Sequence, residues 1–172
     1  MISSTHTPWL DKVAVITGAS SGIGAATAQE FARRGLQVVL VARRLQRLQE
    51  VASHIIQAGG KAETIPADLT LESDRQRVYE QVLQSYGGAD VLVNNAGIGW
   101  YGYFTDMTWQ TAREILQLNV SATVQFTMLF LQHMRARGSG HIINIGSVSG
   151  GLPSQGVAIY GATKSFLDNF TT

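Results

Sequence analysis

The stretch Val13-Ala-Val-Ile-Thr-Gly-Ala-Ser-Ser-Gly-Ile-Gly24 constrains this chain more than any other. Val13 to Ile16 is a short apolar run, of the kind that forms a strand buried on both faces. A glycine-rich turn follows at once, and Ala25 to Arg34 then reads as a helix with few breakers. Strand, glycine turn, helix is the context that turns a glycine pattern into a phosphate site. Gly18 permits the tight turn out of the strand. Gly22 leaves room for a pyrophosphate against bare backbone, and Gly24 lets the helix pack close to the strand. The helix begins with free N–H groups and a partial positive charge, which together attract an anion. Ser20 and Ser21 add hydroxyl donors. An ordinary strand–helix turn is the bland alternative. The spacing is Gly-x-x-x-Gly-x-Gly rather than the commoner Gly-x-Gly-x-x-Gly, and the rest of the chain tests what that means.

The pattern after this stretch alternates between strand and helix. Strands are expected at about Lys12–Thr17, Gln37–Ala42, Ala62–Pro66, Val91–Asn94 and His141–Ile145. Helices are expected at about Gly22–Arg34, Leu45–Ala58 and Glu72–Tyr86. A long helix over Thr108–Arg137 is expected to bend near Asn119, and a last one begins near Gly156 to Ile159. Strands alternating with helices argue βαβ units and a parallel sheet with right-handed crossovers. The fold class is therefore α/β, a doubly wound Rossmann-type parallel sheet in the order 3-2-1-4-5. A nucleotide is expected at the switch point beside strand one. The 172 residues form one domain, 1–172, behind a loose lead-in over residues 1–10.

Composition narrows the function. Hydrophobic residues are 45% of the chain and charged residues 15%, enough for a real core. A formal net charge of +1 gives no electrostatic case for nucleic acid or a membrane surface. With no cysteine, disulfides, thiolate catalysis and cysteine–metal sites are excluded. His6, His54, His133 and His141 show no close ligand spacing, so no metal is expected. The N-terminus lacks the apolar segment of a secretory signal, and no apolar run reaches membrane-spanning length. A cytoplasmic protein is the expectation.

The end of strand two bears on the nucleotide. An acid there would hold a ribose 2′-hydroxyl, as NAD sites do. Here Ala42 occupies the place, and Arg43 and Arg44 follow. A guanidinium matches the charge and acceptors of a 2′-phosphate. Arg43 therefore favours NADP(H) over NAD(H), with Arg44 as a weaker contact. Two solvated arginines opening helix two are the alternative. Asp68 ends the third strand segment, where it either accepts from an adenine amino group or caps the following turn.

Four further signals stand in order: Asn94-Asn-Ala-Gly97 after strand four, Asn119 inside a helix, Ser147 after strand five, and Tyr160 with Lys164. Asparagine is disfavoured inside helices. Tyr160 and Lys164 are four apart at the start of the last helix, hence on one face. Each signal alone has a bland reading as a turn, a bend, a small loop residue or a chance pair. Together they resemble the short-chain dehydrogenase/reductase family in its single-domain form, from about Leu10 to the last residue. The matching residues are Thr17-Gly-Ala-Ser-Ser-Gly-Ile-Gly24, Asn94-Asn-Ala-Gly97, Asn119, Ser147 and Tyr160-Gly-Ala-Thr-Lys164. Around Ile145-Gly-Ser147 and Arg43 the wording is also similar to 3-oxoacyl-carrier-protein reductases and to many uncharacterised oxidoreductases.

The resemblance implies an NADP(H)-dependent oxidoreductase that interconverts a carbonyl and a secondary alcohol. Tyr160 would be the general acid in reduction and the base in oxidation. A nearby ammonium, Lys164, favours the phenolate form of such a residue and would also reach the nicotinamide ribose. Ser147 would hold the substrate oxygen, and Asn119 would hold a water continuing the proton path. Ile23, Leu69, Asn95, Ala96 and Gly97 would join Gly18, Ser20, Ser21, Gly22, Gly24, Arg43, Arg44 and Asp68 around the cofactor. The family continues past this helix with a sixth strand, a further helix and a seventh strand, so the chain is C-terminally short of that pattern. A truncated enzyme fragment and a non-catalytic dinucleotide-binding protein are the rival readings. The apolar residues of Val120–Met134 lie on more than one face. Such a helix needs cover on each, and a homo-oligomer through helices 108–137 and 157–172 is expected. Trp100, Tyr101, Tyr103 and Phe104 either wall a small-molecule substrate pocket or pack the long helix. No lysine or arginine lies among them to argue for an anionic substrate.

Overall fold

A computed structural model of the chain describes residues 9–152 and 155–171. Residues 1–8 of the expected lead-in lie outside the described residues. The strands are β1 (Val13–Thr17), β2 (Gln37–Ala42), β3 (Lys61–Pro66), β4 (Val91–Asn94) and β5 (His141–Asn144). They form one parallel sheet in the order β3-β2-β1-β4-β5. The order expected from the alternating pattern is the order found.

The helices are α1 (Gly22–Arg33), α2 (Leu45–Gln57), α3 (Glu72–Tyr86), α4 (Trp109–Leu116), α5 (Thr123–Arg137), α6 (Val148–Gly151) and α7 (Ala158–Phe170). They cover both faces of the sheet. Because side chains alternate along a strand, β1 sends Val15 to one core and Ala14 and Ile16 to the other. The first core meets Val78 and Val82 of α3 and Phe126 and Phe130 of α5. The second meets Ala28 of α1 and Leu48 and Ile55 of α2. Two covered faces explain why β1 and β2 read as unbroken apolar runs rather than alternating ones.

Three features differ from expectation. Phe104–Asp106 forms a 3₁₀ turn, and α6 is a single helical turn over Val-Ser-Gly-Gly, a composition too glycine-rich to announce a helix. The bend expected near Asn119 takes the form of a π turn, Gln117–Ala122, set without a break between α4 and α5. Such turns widen the helix and turn a side chain inward, frequently at functional sites. β5 forms one edge of the sheet, with Ile143 exposed.

Candidate functional site

The carboxyl ends of β1 and β4 meet at a clamp built around Thr17. Its buried hydroxyl donates to the Val93 carbonyl (3.1 Å) and accepts from the Asn95 and Ala96 N–H groups (3.0 and 2.9 Å). The Asn95 amide donates to the carbonyls of Thr17 and Gly18 (2.9 and 3.3 Å). Asn95 therefore locks the glycine turn from behind and does not line the cleft. Asn94 ties β4 to its neighbours by donating to Thr127 Oγ1 (3.1 Å) and Asn144 Oδ1 (2.9 Å).

The three glycines have separate physical reasons. Gly18 has a φ of +66°, and a Cβ there would lie 2.8 Å from Asn95 Nδ2 and 2.9 Å from Ala96 Cα. Gly22 also has a positive φ, +56°, with open space around it. A Cβ on Gly24 would lie 2.6 Å from the Gly18 carbonyl oxygen, so only glycine lets α1 approach the turn this closely.

In front of this turn lies a cleft of about 290 Å³. Gly18, Ser20, Ser21, Arg43, Arg44, Asp68 and Leu69 line one part of it, and Ala96, Gly97, Ile98 and Leu118 another. Ala42 and Ala67 keep its walls low. Of the residues expected around the cofactor, Gly22, Ile23, Gly24, Asn95, Tyr160 and Lys164 stand outside the lining. Arg44 donates to Ser20 Oγ (3.1 Å) and Ser21 Oγ (3.2 Å), so two hydroxyls and a guanidinium are gathered at the mouth, with Arg43 beside them. Of the two roles the sequence left open for Asp68, the turn cap is present: its Oδ1 accepts from Thr70 N (3.0 Å) and Thr70 Oγ1 (2.8 Å), while the residue also lines the cleft. A glycine turn at a helix start and a pair of guanidinium groups fit the phosphates of a dinucleotide.

Beyond Gly97 and Ile98 lies the second half of the site. Lys164 is 5% exposed, and its ammonium donates to the Ile145 carbonyl (2.6 Å) at the end of β5. It stands 5.8 Å from the centre of the Tyr160 ring, on the shared face the four-residue spacing implies. Burial pushes the Lys164 ammonium below the ordinary lysine range, with the Asp168 charge opposing. Ser147 caps α6, its Oγ accepting from Ser149 N (3.2 Å). α6 leans on α7 where Ser165 Oγ donates to the Gly150 carbonyl. The Tyr160 ring packs over Gly99, where a Cβ would meet it at 3.4 Å.

Asn119 is 1% exposed and fully engaged. Its Oδ1 accepts from Ile98 N (2.9 Å), and its Nδ2 donates to Ile98 O (2.9 Å) and Thr163 Oγ1 (3.0 Å). A Cβ on Gly97 would lie 3.2 Å from Asn119 Oδ1 and 3.9 Å from Lys164 Nζ. Sequence reasoning gave no separate role to Thr17, Ile98, Leu118 or Thr163. Thr17 and Thr163 were visible only as members of their motifs. The aromatic cluster stands at this end too: the Tyr101 ring covers Gly156, and Gly102 N donates to Gly156 O (3.0 Å). Tyr101, Tyr103 and Phe104 are exposed. Among the described residues, no cluster of His, Asp and Glu could hold a metal ion, and no helix is long and apolar enough to cross a membrane.

The model of the short chain dehydrogenase family matches residues 12–172. An uncharacterised oxidoreductase from Staphylococcus epidermidis is 37% identical over 161 residues, 94% of this chain and 69% of the relative. A metagenomic short-chain oxidoreductase solved with NADP superimposes with a TM-score of 0.91 at 39% identity, over 94% of this chain and 74% of that one. L-Sorbose reductase from Gluconobacter frateurii, solved with NADPH and L-sorbose, gives 0.89 at 39% identity, over 94% of this chain and 62% of that one.

Proposed function

The chain belongs to the short-chain dehydrogenase family, and from that premise we propose that it is an NADP(H)-dependent oxidoreductase interconverting a small-molecule carbonyl and its secondary alcohol. The observation that carries the reading is buried Lys164, standing 5.8 Å from the Tyr160 ring and next to Gly97 of the cleft lining. Lys164 is held there by a main-chain carbonyl rather than by a carboxylate.

Each residue then has a task. In carbonyl reduction the Tyr160 hydroxyl gives its proton to the substrate oxygen, and in alcohol oxidation the phenolate takes it back. The Ser147 hydroxyl already accepts from Ser149 N, and its own proton points the substrate oxygen toward Tyr160. Lys164 would also reach the nicotinamide ribose. A water held near Asn119 and Lys164, which both approach Gly97, would refill the proton on Tyr160 from the Lys164 side. When bound, the nicotinamide supplies or accepts the hydride.

Arg43 and Arg44 would hold the 2′-phosphate of NADP(H). No acid stands at Ala42 to favour a free 2′-hydroxyl. The NADP and NADPH of the two solved relatives support the same preference. Gly18, Gly22 and the start of α1 would take the pyrophosphate, with Asp68 and Leu69 at the adenine. We further propose a homo-oligomer through the α4–α5 helix and α7, because Trp109, Met128 and Leu131 are exposed along the former.

A thermal-shift titration with NADPH and NADH, run on the parent chain and on Tyr160→Phe, tests the reading. A ligand that binds only the folded state raises the melting temperature with concentration. The expected result is a larger rise with NADPH in both proteins. Carbonyl reduction should fall about 10²–10⁴-fold in the variant. Undiminished turnover by Tyr160→Phe would sink the mechanism, and an equal or larger rise with NADH would sink the cofactor assignment.

A further inference from the structure

Thr163 is 1% exposed, so its hydroxyl must be satisfied inside the protein. The hydroxyl proton goes to the Tyr160 carbonyl, at 2.7 Å. A threonine bonding back to its own helix is common and local. Here the same oxygen also accepts from Asn119 Nδ2 at 3.0 Å, a residue 44 positions earlier in the chain. Both protons of that amide are then placed, one on Ile98 O and one on Thr163 Oγ1. Asn119 reaches this position because the π turn directs it inward, and its own carbonyl accepts from Thr123 Oγ1 at 3.2 Å.

The contacts form one connected path. The loop after β4 is bonded to Asn119 through both main-chain groups of Ile98. Asn119 is bonded to Thr163, and Thr163 to the carbonyl of Tyr160. The turn of α7 held in this way is the one that carries Tyr160 and Lys164. The β-branched threonine has few χ1 options, so its hydroxyl is a stiff link.

We propose that Thr163 is a positioning residue for the reaction: its hydroxyl fixes the Tyr160–Lys164 turn against Asn119 and so against the loop that lines the cofactor cleft. The proposal rests on the acid–base reading of Tyr160 and Lys164. Removing the hydroxyl leaves Asn119 Nδ2 with a buried, unmade bond. The amide then readjusts, and the catalytic turn loses its register with the cleft. A misplacement of this kind lowers rate more than binding. The residues that line the mouth of the cleft, from the ends of β1, β2 and β3, are not touched by the change.

The test compares Thr163→Val, which keeps the shape, with Thr163→Ser, which keeps the hydroxyl. In Thr163→Val, kcat should fall about ten- to a hundredfold while the KM for NADPH stays within about threefold. In Thr163→Ser, kcat should stay within about threefold of the parent. If Thr163 only stabilises the fold, Tm falls in Thr163→Val while kcat of the folded protein is unchanged, and the proposal is overturned. A serine variant as slow as the valine variant overturns it too.

A second measurement needs no turnover. The side-chain amide protons of Asn119, identified by their loss in Asn119→Asp, should exchange slowly with solvent in the parent and in Thr163→Ser. They should exchange much faster in Thr163→Val. Equal protection in all three would show that the link does not hold Asn119. A parent chain that binds NADPH yet reduces no carbonyl would defeat the acid–base reading, and the exchange comparison would still decide whether Thr163 fixes Asn119. Should Thr163→Val not fold, Thr163→Ala is read by the same measurements.

Discussion

Gly18 is the residue at which conformation, packing and binding meet. Its φ of +66° is one that residues with a Cβ adopt at a cost, and the added atom would press on Asn95 Nδ2 and the Ala96 backbone. Asn95 cannot give way freely, because its amide is bonded to Thr17 and Gly18. Gly18→Ala should therefore lower stability by about 1–3 kcal/mol. It should also shrink the NADPH-induced rise in Tm beyond what the stability loss explains. Urea unfolding with and without NADPH separates the two effects. A variant as stable as the parent and equally protected by NADPH would show that the turn is looser than its geometry implies.

Among the elements, the amino ends of the sheet are held by Asp90, far from the chemistry. Its carboxylate accepts from Val13 N (2.9 Å), Lys12 Nζ (3.2 Å) and Arg137 Nη2 (2.8 Å), joining β1, β4 and the end of α5. Burial works against the charged form, but the Val13 N–H and the Lys12 and Arg137 charges outweigh it and hold the carboxyl below its ordinary value of 3.8. A native value below the unfolded one means the stabilisation is complete above that ordinary value. It is lost as pH falls through the lower native value. Asp90→Asn should cost about 1–3 kcal/mol near neutral pH and flatten the acid limb of a stability–pH curve. An unchanged limb would show that other carboxylates govern it. Most elements were legible because two-sided burial writes continuous apolar runs: Gln37–Ala42 and Val91–Asn94 are found as expected, and so is Glu72–Tyr86 between its turn residues. The candidate site residues were legible as motifs, but which way each faces was not. Nothing in Asn94-Asn-Ala-Gly97 says that Asn95 faces Thr17 while Ala96 and Gly97 face the cleft. The π turn left only one trace, an asparagine in a helical run, because a π turn needs no residue type of its own. α6 left none, since its Val-Ser-Gly-Gly is helical only where α7 packs against it.

For the whole molecule, the α4–α5 helix leaves apolar side chains uncovered: Trp109, Met128 and Leu131 are exposed along it. Light scattering at micromolar concentration should give a dimer or larger, and Met128→Lys combined with Leu131→Lys should give a monomer. A monomeric parent would contradict the proposed assembly. The strand order has another consequence, for synthesis rather than for the finished protein. β1 pairs with β2 on one side and β4 on the other. β2 follows β1 within one crossover, whereas β4 arrives only after β3 and α3 have been made. A ribosome adding roughly 5–20 residues per second needs several seconds to pass from Ala42 to Asn94. For that interval the strand destined for the centre of the sheet is an edge, with Ala14, Val15 and Ile16 open to any passing strand. The nascent chain is most vulnerable to mispairing at the place where the finished protein is most deeply buried.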